Sequence, residues 1–284
     1  MLNEFTVGFR NTEEEMDFMV PLSMSAEGVG SALFVLSFLF GSRAGALGGL
    51  ALVCAGAAAL FLHLGHPLRF WRVISKAPTA WISRGAVFTG GLIVIGILTL
   101  LLPRDSFTGV GVQALALLCA LIVMIYTGLL YASMASVPFW STALLPLSFL
   151  LHSLTSGAMV LMGFLSFSGA RAADFPNQVA AAMALLLVSS ALTWLCTQPA
   201  ARSAAIEESI RRLTAGQLKV VFVRGAVLAG LVAPVALLAL AYWIAPGARI
   251  LSAMLLFVAM LSRLAGDMAF RSAVLRAGVY EPVI

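Results

Sequence analysis

Eight apolar stretches, each long enough to cross a lipid bilayer, constrain this 284-residue chain more than any other feature. A transmembrane helix needs about 20 consecutive apolar residues. The stretches that meet this length are residues 19–40, 44–62, 85–102, 112–131, 143–167, 179–197, 220–242 and 250–270. The sequence therefore predicts an all-α integral membrane protein with about eight transmembrane helices. We expect paired four-helix bundles within a single transmembrane domain over residues 1–284.

The composition agrees with a bilayer as the solvent. Hydrophobic residues make up 61% of the chain and charged residues only 10%, which is too few charges to cover the surface of a water-soluble domain. Residues 1–18 are polar and acidic, so we expect no cleaved secretory leader. The basic residues lie at the ends of the apolar stretches and form no continuous patch, which argues against binding of nucleic acid.

The distribution of lysine and arginine predicts the orientation of the chain. An even number of spans places both termini on the same side of the membrane. Of the 17 lysines and arginines, 13 fall on the side of the termini and 4 on the opposite side. Because loops rich in lysine and arginine stay in the cytoplasm, we expect both termini to be cytoplasmic.

One carboxylate lies inside the first span. Glu27 is about 12 Å from the start of that span, at a helical rise of 1.5 Å per residue, and Ser23 and Ser25 keep its surroundings polar. A carboxylate at this depth must be paired, protonated or hydrated. Ionisable residues within spans usually carry function, so Glu27 is a candidate site residue. The structural alternative is a hydrogen bond to another helix.

Two further polar residues lie toward the cytoplasmic ends of their spans. His63 ends the second span, and Tyr126 lies about one and a half turns before the end of the fourth. Thr127 and Gly128 follow Tyr126 and allow another helix or a ligand to approach closely. Since Glu27 lies in the same half of the membrane, the sequence predicts a pocket that opens toward the cytoplasmic leaflet.

Other polar groups favour structural roles. Arg263 and Asp267 are four residues apart near the end of the eighth span, which is the spacing of a helical ion pair. His152 lies in the middle of the fifth span and His63 at a membrane surface, so their depths do not match as axial ligands of a haem. The three cysteines lie in separate spans without a CxxC motif. We expect no haem, iron–sulfur cluster or other metal site in this chain, and an interhelical hydrogen bond for His152.

Several motifs of the chain resemble those of a known family. The run from His63 to Arg72 resembles the connector between the second and third helices of polysulfide reductase membrane subunits, the NrfD/PsrC family, and of the related DMSO reductase anchors. The segments 126–130 and 138–141 are similar to the family's fourth helix and the loop after it. Residues 144–147 open the fifth span in the family's manner. The order and spacing of these motifs carry the resemblance.

The resemblance implies a quinone-handling anchor subunit in the inner membrane of a bacterium. Family members bind menaquinone or ubiquinone, carry no haem, and anchor a molybdopterin catalytic subunit through a four-cluster, ferredoxin-like iron–sulfur subunit. By position, His63 matches the family's quinol-associated histidine and Tyr126 its pocket tyrosine. Together with Glu27 and Ser23 they form the predicted site of quinone binding and proton transfer. The carboxylate that relatives often carry after the second-to-third loop is absent, because residues 81–84 read Trp-Ile-Ser-Arg.

Four basic residues of the second-to-third loop form the predicted docking surface for the iron–sulfur partner: Arg69, Arg72, Lys76 and Arg84. The positive-inside rule explains the same residues without a partner. Three other functions stay open at this point: a transporter with a midplane site, a di-haem cytochrome anchor, and a structural anchor without a quinone site. A transporter predicts broken helices at corresponding positions of inverted repeats, and the sequence shows no such pair.

Overall fold

The protein is built from long helices that cross the membrane. The computed structural model describes residues 12, 17–63, 71–103, 107–167, 175–197, 203–244 and 248–281. In chain order its helices are α1 (Met19–Leu39), α2 (Arg43–His63), α3 (Trp71–Ser75), α4 (Trp81–Leu101), α5 (Phe107–Ala132), α6 (Leu144–Phe167), α7 (Phe175–Cys196), α8 (Ala204–Thr214), a π-helix (Val220–Val232) continuous with α9 (Ala233–Ile244), and α10 (Arg249–Ala277). Within the described residues, eight spans are long and apolar enough to cross a membrane, the π-helix and α9 forming one of them. The predicted all-α, multi-pass class is confirmed.

The spans form two four-helix groups. The first group contains α1, α2, α4 and α5, and the second contains α6, α7, the π-helix with α9, and α10. The groups meet where α6 packs against α1 and α5, and where α10 packs against α1. Helix α1 therefore contacts both groups, so its polar side chains can bond to residues of either group.

Small residues determine how closely α1 and α2 approach. A Cβ atom on Gly30 would lie 2.6 Å from the carbonyl oxygen of Gly49, and a Cβ on Gly49 would lie 2.7 Å from the backbone nitrogen of Phe34. Gly45 and Gly49 have the GxxxG spacing that lets helix backbones meet in lipid, where no hydrophobic force draws helices together. This backbone contact fixes α1 against α2 on the side that carries the candidate site.

The seventh span changes from π-helix to α-helix at Ala233, next to Pro234. Proline has no backbone N–H, so it leaves a carbonyl group of the preceding turn without its usual donor. Ser262 Oγ donates to the Ala229 carbonyl at 2.6 Å, and Arg263 Nη1 donates to the Gly230 carbonyl at 2.9 Å. Side chains of α10 therefore satisfy the carbonyl groups of the irregular turn, as an apolar environment requires.

Thr12 and the end of α10 lie at one end of the molecule, which we call the terminal face. The backbone nitrogen of Thr12 donates to the carbonyl oxygen of Gly278 at 3.0 Å, and the Thr12 hydroxyl donates to the Leu275 carbonyl at 2.6 Å. Trp140, in the connection between α5 and α6, donates from Nε1 to the Val274 carbonyl at 3.0 Å. These bonds join Thr12, the α5–α6 connection and the end of α10.

Candidate functional site

A buried pair of a carboxylate and a tyrosine lies inside the first four-helix group. The hydroxyl of Tyr126 on α5 donates to Glu27 Oε2 on α1 at 2.9 Å, and Thr89 Oγ1 on α4 donates to the same oxygen at 3.4 Å. Glu27 is only 2% exposed. A buried carboxylate is strongly destabilising without hydrogen-bond partners, and two hydroxyl groups from neighbouring helices supply them here.

Two glycines make room for this pair. A Cβ atom on Gly85 of α4 would lie 2.1 Å from Tyr126 Cε2, so the tyrosine ring packs directly on the backbone of α4. A Cβ atom on Gly56 of α2 would lie 2.8 Å from Glu27 Cγ. The position of the carboxylate and of the phenol therefore depends on the absence of side chains on the facing helices.

A cavity of about 400 Å³ lies beside the Glu27–Tyr126 pair. Glu27, Thr89 and Tyr126 line its polar part. The remaining walls are apolar and come from α2, α3 and α4, including Ala58, Phe61, Val73, Ile82 and Ile93. An apolar cavity with a few convergent polar groups is typical of a site for a small organic molecule.

The cavity lies near the terminal face and opens between α2 and α4. Phe61 is close to the end of α2 and Ile82 is close to the start of α4, and both line the cavity. Phe61 is 40% exposed and Ile82 is 49% exposed. Because both side chains belong to membrane spans, this opening faces lipid in the half of the bilayer next to the terminal face.

The structure brings together two of the predicted site residues, Glu27 and Tyr126. The hydroxyl of Ser23 is buried and donates to the Val20 carbonyl of its own helix at 2.8 Å, so it is not directed into the cavity. The side chain of His63 lies outside the described residues, and its role stays a prediction. The close approach that Gly128 allows is made by helix α6 and not by the cavity, because a Cβ atom on Gly128 would lie 2.4 Å from Pro146 Cα.

The predicted docking residues take different positions. Arg69 lies outside the described residues, whereas Arg72 and Lys76 are exposed at the terminal face. Arg84 donates from Nε to the Ala77 carbonyl at 3.1 Å and from Nη2 to the Pro78 carbonyl at 2.7 Å. Its guanidinium group therefore stabilises the connection between α3 and α4.

Sequence reasoning missed Thr89 and the apolar walls of the cavity. The one signal for Thr89 is a hydroxyl group just before Gly90 and Gly91 in an apolar span. Threonine and glycine are common at helix contacts in membranes, so this signal does not separate a cavity from ordinary packing.

A second buried polar cluster joins α10 to α1 and α6. Arg271 donates from Nε to Asp267 Oδ2 at 3.0 Å and from Nη2 to Ser153 Oγ at 2.8 Å. Ser25 of α1 also donates to Asp267 Oδ2. Among the described residues, the hydrogen-bonded ion pair of α10 is thus Asp267–Arg271, whereas the guanidinium group of Arg263, which was expected to pair with Asp267, makes its hydrogen bonds to other residues. Asp267 has an arginine four residues away in both directions, and Arg263 is engaged elsewhere.

Arg263 bonds to α6 and to the π-helix. Its Nε donates to Ser156 Oγ at 3.0 Å, its Nη1 to the Gly230 carbonyl, and its Nη2 to His152 Nδ1 at 3.0 Å. Because a guanidinium group has no acceptor, Nδ1 must accept this bond. Nε2 of His152 then carries the proton and donates to Thr193 Oγ1 on α7 at 3.0 Å. The expected interhelical hydrogen bond of His152 is confirmed.

Comparison with known proteins gives the class of protein that this fold and cavity belong to. The sequence matches the DMSO reductase anchor subunits (DmsC) over residues 43–278. The match covers most of the chain, so the chain belongs to the family of DMSO reductase anchor subunits. The narrower NrfD/PsrC resemblance stays a prediction.

A curated relative is a sulfite dehydrogenase subunit of Allochromatium vinosum. It is 28% identical over 170 residues, which cover 53% of this chain and 51% of that relative. The chain thus aligns with about half the length of this relative.

Among the residues that the structure describes, no three His, Cys, Asp or Glu side chains lie close enough together to hold a metal ion.

Proposed function

We propose that this chain is the quinone-binding membrane anchor of a molybdopterin iron–sulfur oxidoreductase complex. Menaquinone or ubiquinone binds in the cavity beside Glu27 and Tyr126, and electrons pass between the quinone pool and an iron–sulfur partner subunit. One observation carries the proposal: a lipid-facing apolar cavity ends at a buried carboxylate–tyrosine pair. Membership in an anchor family supports the role within a complex.

The lining residues fit a quinone. A bound quinone supplies chemistry in which two electrons and two protons are exchanged. The apolar walls from α2 and α4 suit its ring, and the opening beside Phe61 and Ile82 suits a lipid-soluble tail. The polar end suits its oxygen atoms, which need hydrogen-bond partners that accept or donate protons.

Glu27 is the proton acceptor of this site. Tyr126 and Thr89 both donate to Oε2, so they fix the plane and position of the carboxylate. Oε1 makes no hydrogen bond to another described residue, and Glu27 lines the cavity, which leaves this oxygen for a ligand. Tyr126 holds the carboxylate in place and presents its hydroxyl at the same end of the cavity.

The iron–sulfur partner binds at the terminal face. The cavity lies in the membrane half next to this face, so a cluster bound there is nearer to the quinone than one at the opposite face. Arg72 and Lys76 are exposed at the same face, and the sequence adds Arg69. By the positive-inside rule this face is cytoplasmic, in the inner membrane of a bacterium.

Filling the cavity tests this proposal. Gly90 lines the cavity, and a Cβ atom at this position would meet no atom within 4 Å. Gly90→Leu is therefore expected to occupy the cavity without displacing a helix. In the purified complex, it should weaken the binding of a short-chain naphthoquinone or benzoquinone at least tenfold, about 1.4 kcal/mol, with thermal stability unchanged.

Gly111→Leu is the matched control. Gly111 lies on α5 away from the cavity, and a Cβ there also meets no atom within 4 Å. This variant should bind both quinones as the unmodified complex does. Equal binding by Gly90→Leu and the unmodified complex would contradict the proposed site and favour a structural anchor.

A further inference from the structure

In the part of the chain that the structure describes, the charges buried within the spans belong to the two buried clusters. Among the described residues of the eight spans, Glu27 and Asp267 are the acidic ones. Arg263 and Arg271 are both 0% exposed; Arg263 lies near the middle of α10 and Arg271 six residues before its end. The other basic residues of these spans lie within about five residues of a span end: Arg43, Arg84, Arg224 and Arg276.

The α10 cluster has an excess of positive charge. It contains two arginines and Asp267, while His152 is neutral because its Nδ1 accepts from Arg263 and its Nε2 donates to Thr193. Nη1 of Arg271 is buried without a hydrogen-bond partner. A net charge in the membrane interior is strongly unfavourable. Among the described residues, the charges of Arg263, Arg271, Asp267 and Glu27 sum to zero only when Glu27 is ionised.

Helix α1 places Glu27 next to this cluster. Gly28 follows Glu27 directly, and a Cβ atom there would lie 3.1 Å from Arg271 Nη2. Ser25, two residues before Glu27, hydrogen-bonds to Asp267. The width of helix α1 therefore separates the Glu27 carboxylate from Arg271, a distance of about 10 Å.

We propose that Arg263, Asp267 and Arg271 form the counter-charge of the cavity carboxylate and keep Glu27 ionised between turnovers. This inference deepens the proposed function and rests on it for the source of the proton. A proton that Glu27 accepts from a quinol leaves one uncompensated positive charge in the interior. The same excess charge then favours release of that proton, which returns the site to its accepting state.

Infrared spectroscopy of the purified complex, without added quinone, tests the counter-charge. The C=O stretching band of protonated Glu27 is identified by its loss in Glu27→Gln. At one fixed pH near neutrality, Arg271→Gln removes a positive charge and should raise the ratio of protonated to ionised Glu27. Asp267→Asn removes a negative charge and should lower that ratio. Each change is expected to be about tenfold for a unit charge about 10 Å away at an effective dielectric constant near 20.

Two controls separate charge from hydrogen bonding. Arg271→Lys keeps the charge and should keep the ratio of the unmodified protein. The Asp267→Asn/Arg271→Gln double variant loses the ion pair but leaves the net charge of the cluster at one positive charge, as in the unmodified protein, so it should also keep that ratio. If Arg271→Gln does not assemble, Asp267→Asn compared with the double variant tests the same relation.

Shifts of the same sign in both single variants, or no shift in either, would overturn the counter-charge. The same holds if the double variant departs from the unmodified ratio. Because no quinone is added, such a result leaves quinone binding untouched. The proposed quinone site would instead be contradicted by naphthoquinone binding that is unchanged in Gly90→Leu.

Discussion

Replacement of Glu27 by glutamine is expected to lower quinol oxidation by the assembled complex by at least about 100-fold. Glutamine has the same shape and still accepts hydrogen bonds from Tyr126 and Thr89, but its amide cannot take a proton from a quinol. The cavity keeps its walls, so quinol binding should change by less than about threefold. Turnover with a short-chain quinol and binding of the matching quinone, measured on the same preparation, separate the two effects.

Two further variants test this result: one should have a smaller effect, and the other is a control. Tyr126→Phe removes one donor to Glu27 but keeps the ring that packs on Gly85, so a reduction of about tenfold is expected. Glu208→Gln changes a carboxylate that pairs with Arg211 on α8, away from the cavity, and should leave turnover unchanged. Full turnover in Glu27→Gln would remove this carboxylate from the mechanism.

Replacement of Gly266 by alanine is expected to destabilise the protein by more than about 3 kcal/mol. A Cβ atom on Gly266 would lie 1.9 Å from Gly230 Cα, where α10 crosses the π-helix backbone against backbone. No rotation of a side chain can relieve this overlap, so the two helices must separate. The separation also pulls Arg263 away from the Gly230 carbonyl. Unfolding of the purified protein in mixed detergent micelles measures the loss.

Gly111→Ala is the control for helix propensity. A Cβ on Gly111 meets no atom within 4 Å, so alanine should raise the free energy of unfolding by about 0.5–1 kcal/mol. The two glycine-to-alanine changes are thus predicted to have opposite signs. A Gly266→Ala protein within about 0.5 kcal/mol of the unmodified one would contradict the helix crossing.

The spans and the two central site residues are predictable from the sequence for a physical reason. Lipid imposes apolar side chains over a fixed length, so the spans are read directly from hydropathy. A carboxylate such as Glu27 is conspicuous in such a span because of its desolvation. Tyr126 is predicted from its depth and from Thr127 and Gly128, which follow it. The depth of a residue in the membrane follows from its position along the span, so these predictions do not require the rotation of each helix to be known.

Contacts that depend on helix rotation could not be predicted in the same way. Asp267 has an arginine four residues before it and another four residues after it, and spacing does not choose between them. The choice depends on the Gly230 carbonyl, which binds Arg263 because the π-helix meets Pro234 nearby. Helix α10 also continues to Ala277, beyond the predicted end at residue 270, because its last polar turns are buried against other helices.

Cross-linking with a photoreactive quinone tests the central claim most directly. In the assembled complex, an azido-naphthoquinone is activated by light and the labelled peptides are identified by mass spectrometry. We predict labelling on α2 and α4 around Phe61, Ile82 and Ile93, reduced by excess unlabelled quinol and absent in Gly90→Leu. Competed labelling confined to α6, α7, α9 or α10 would contradict a quinone site at Glu27 and Tyr126.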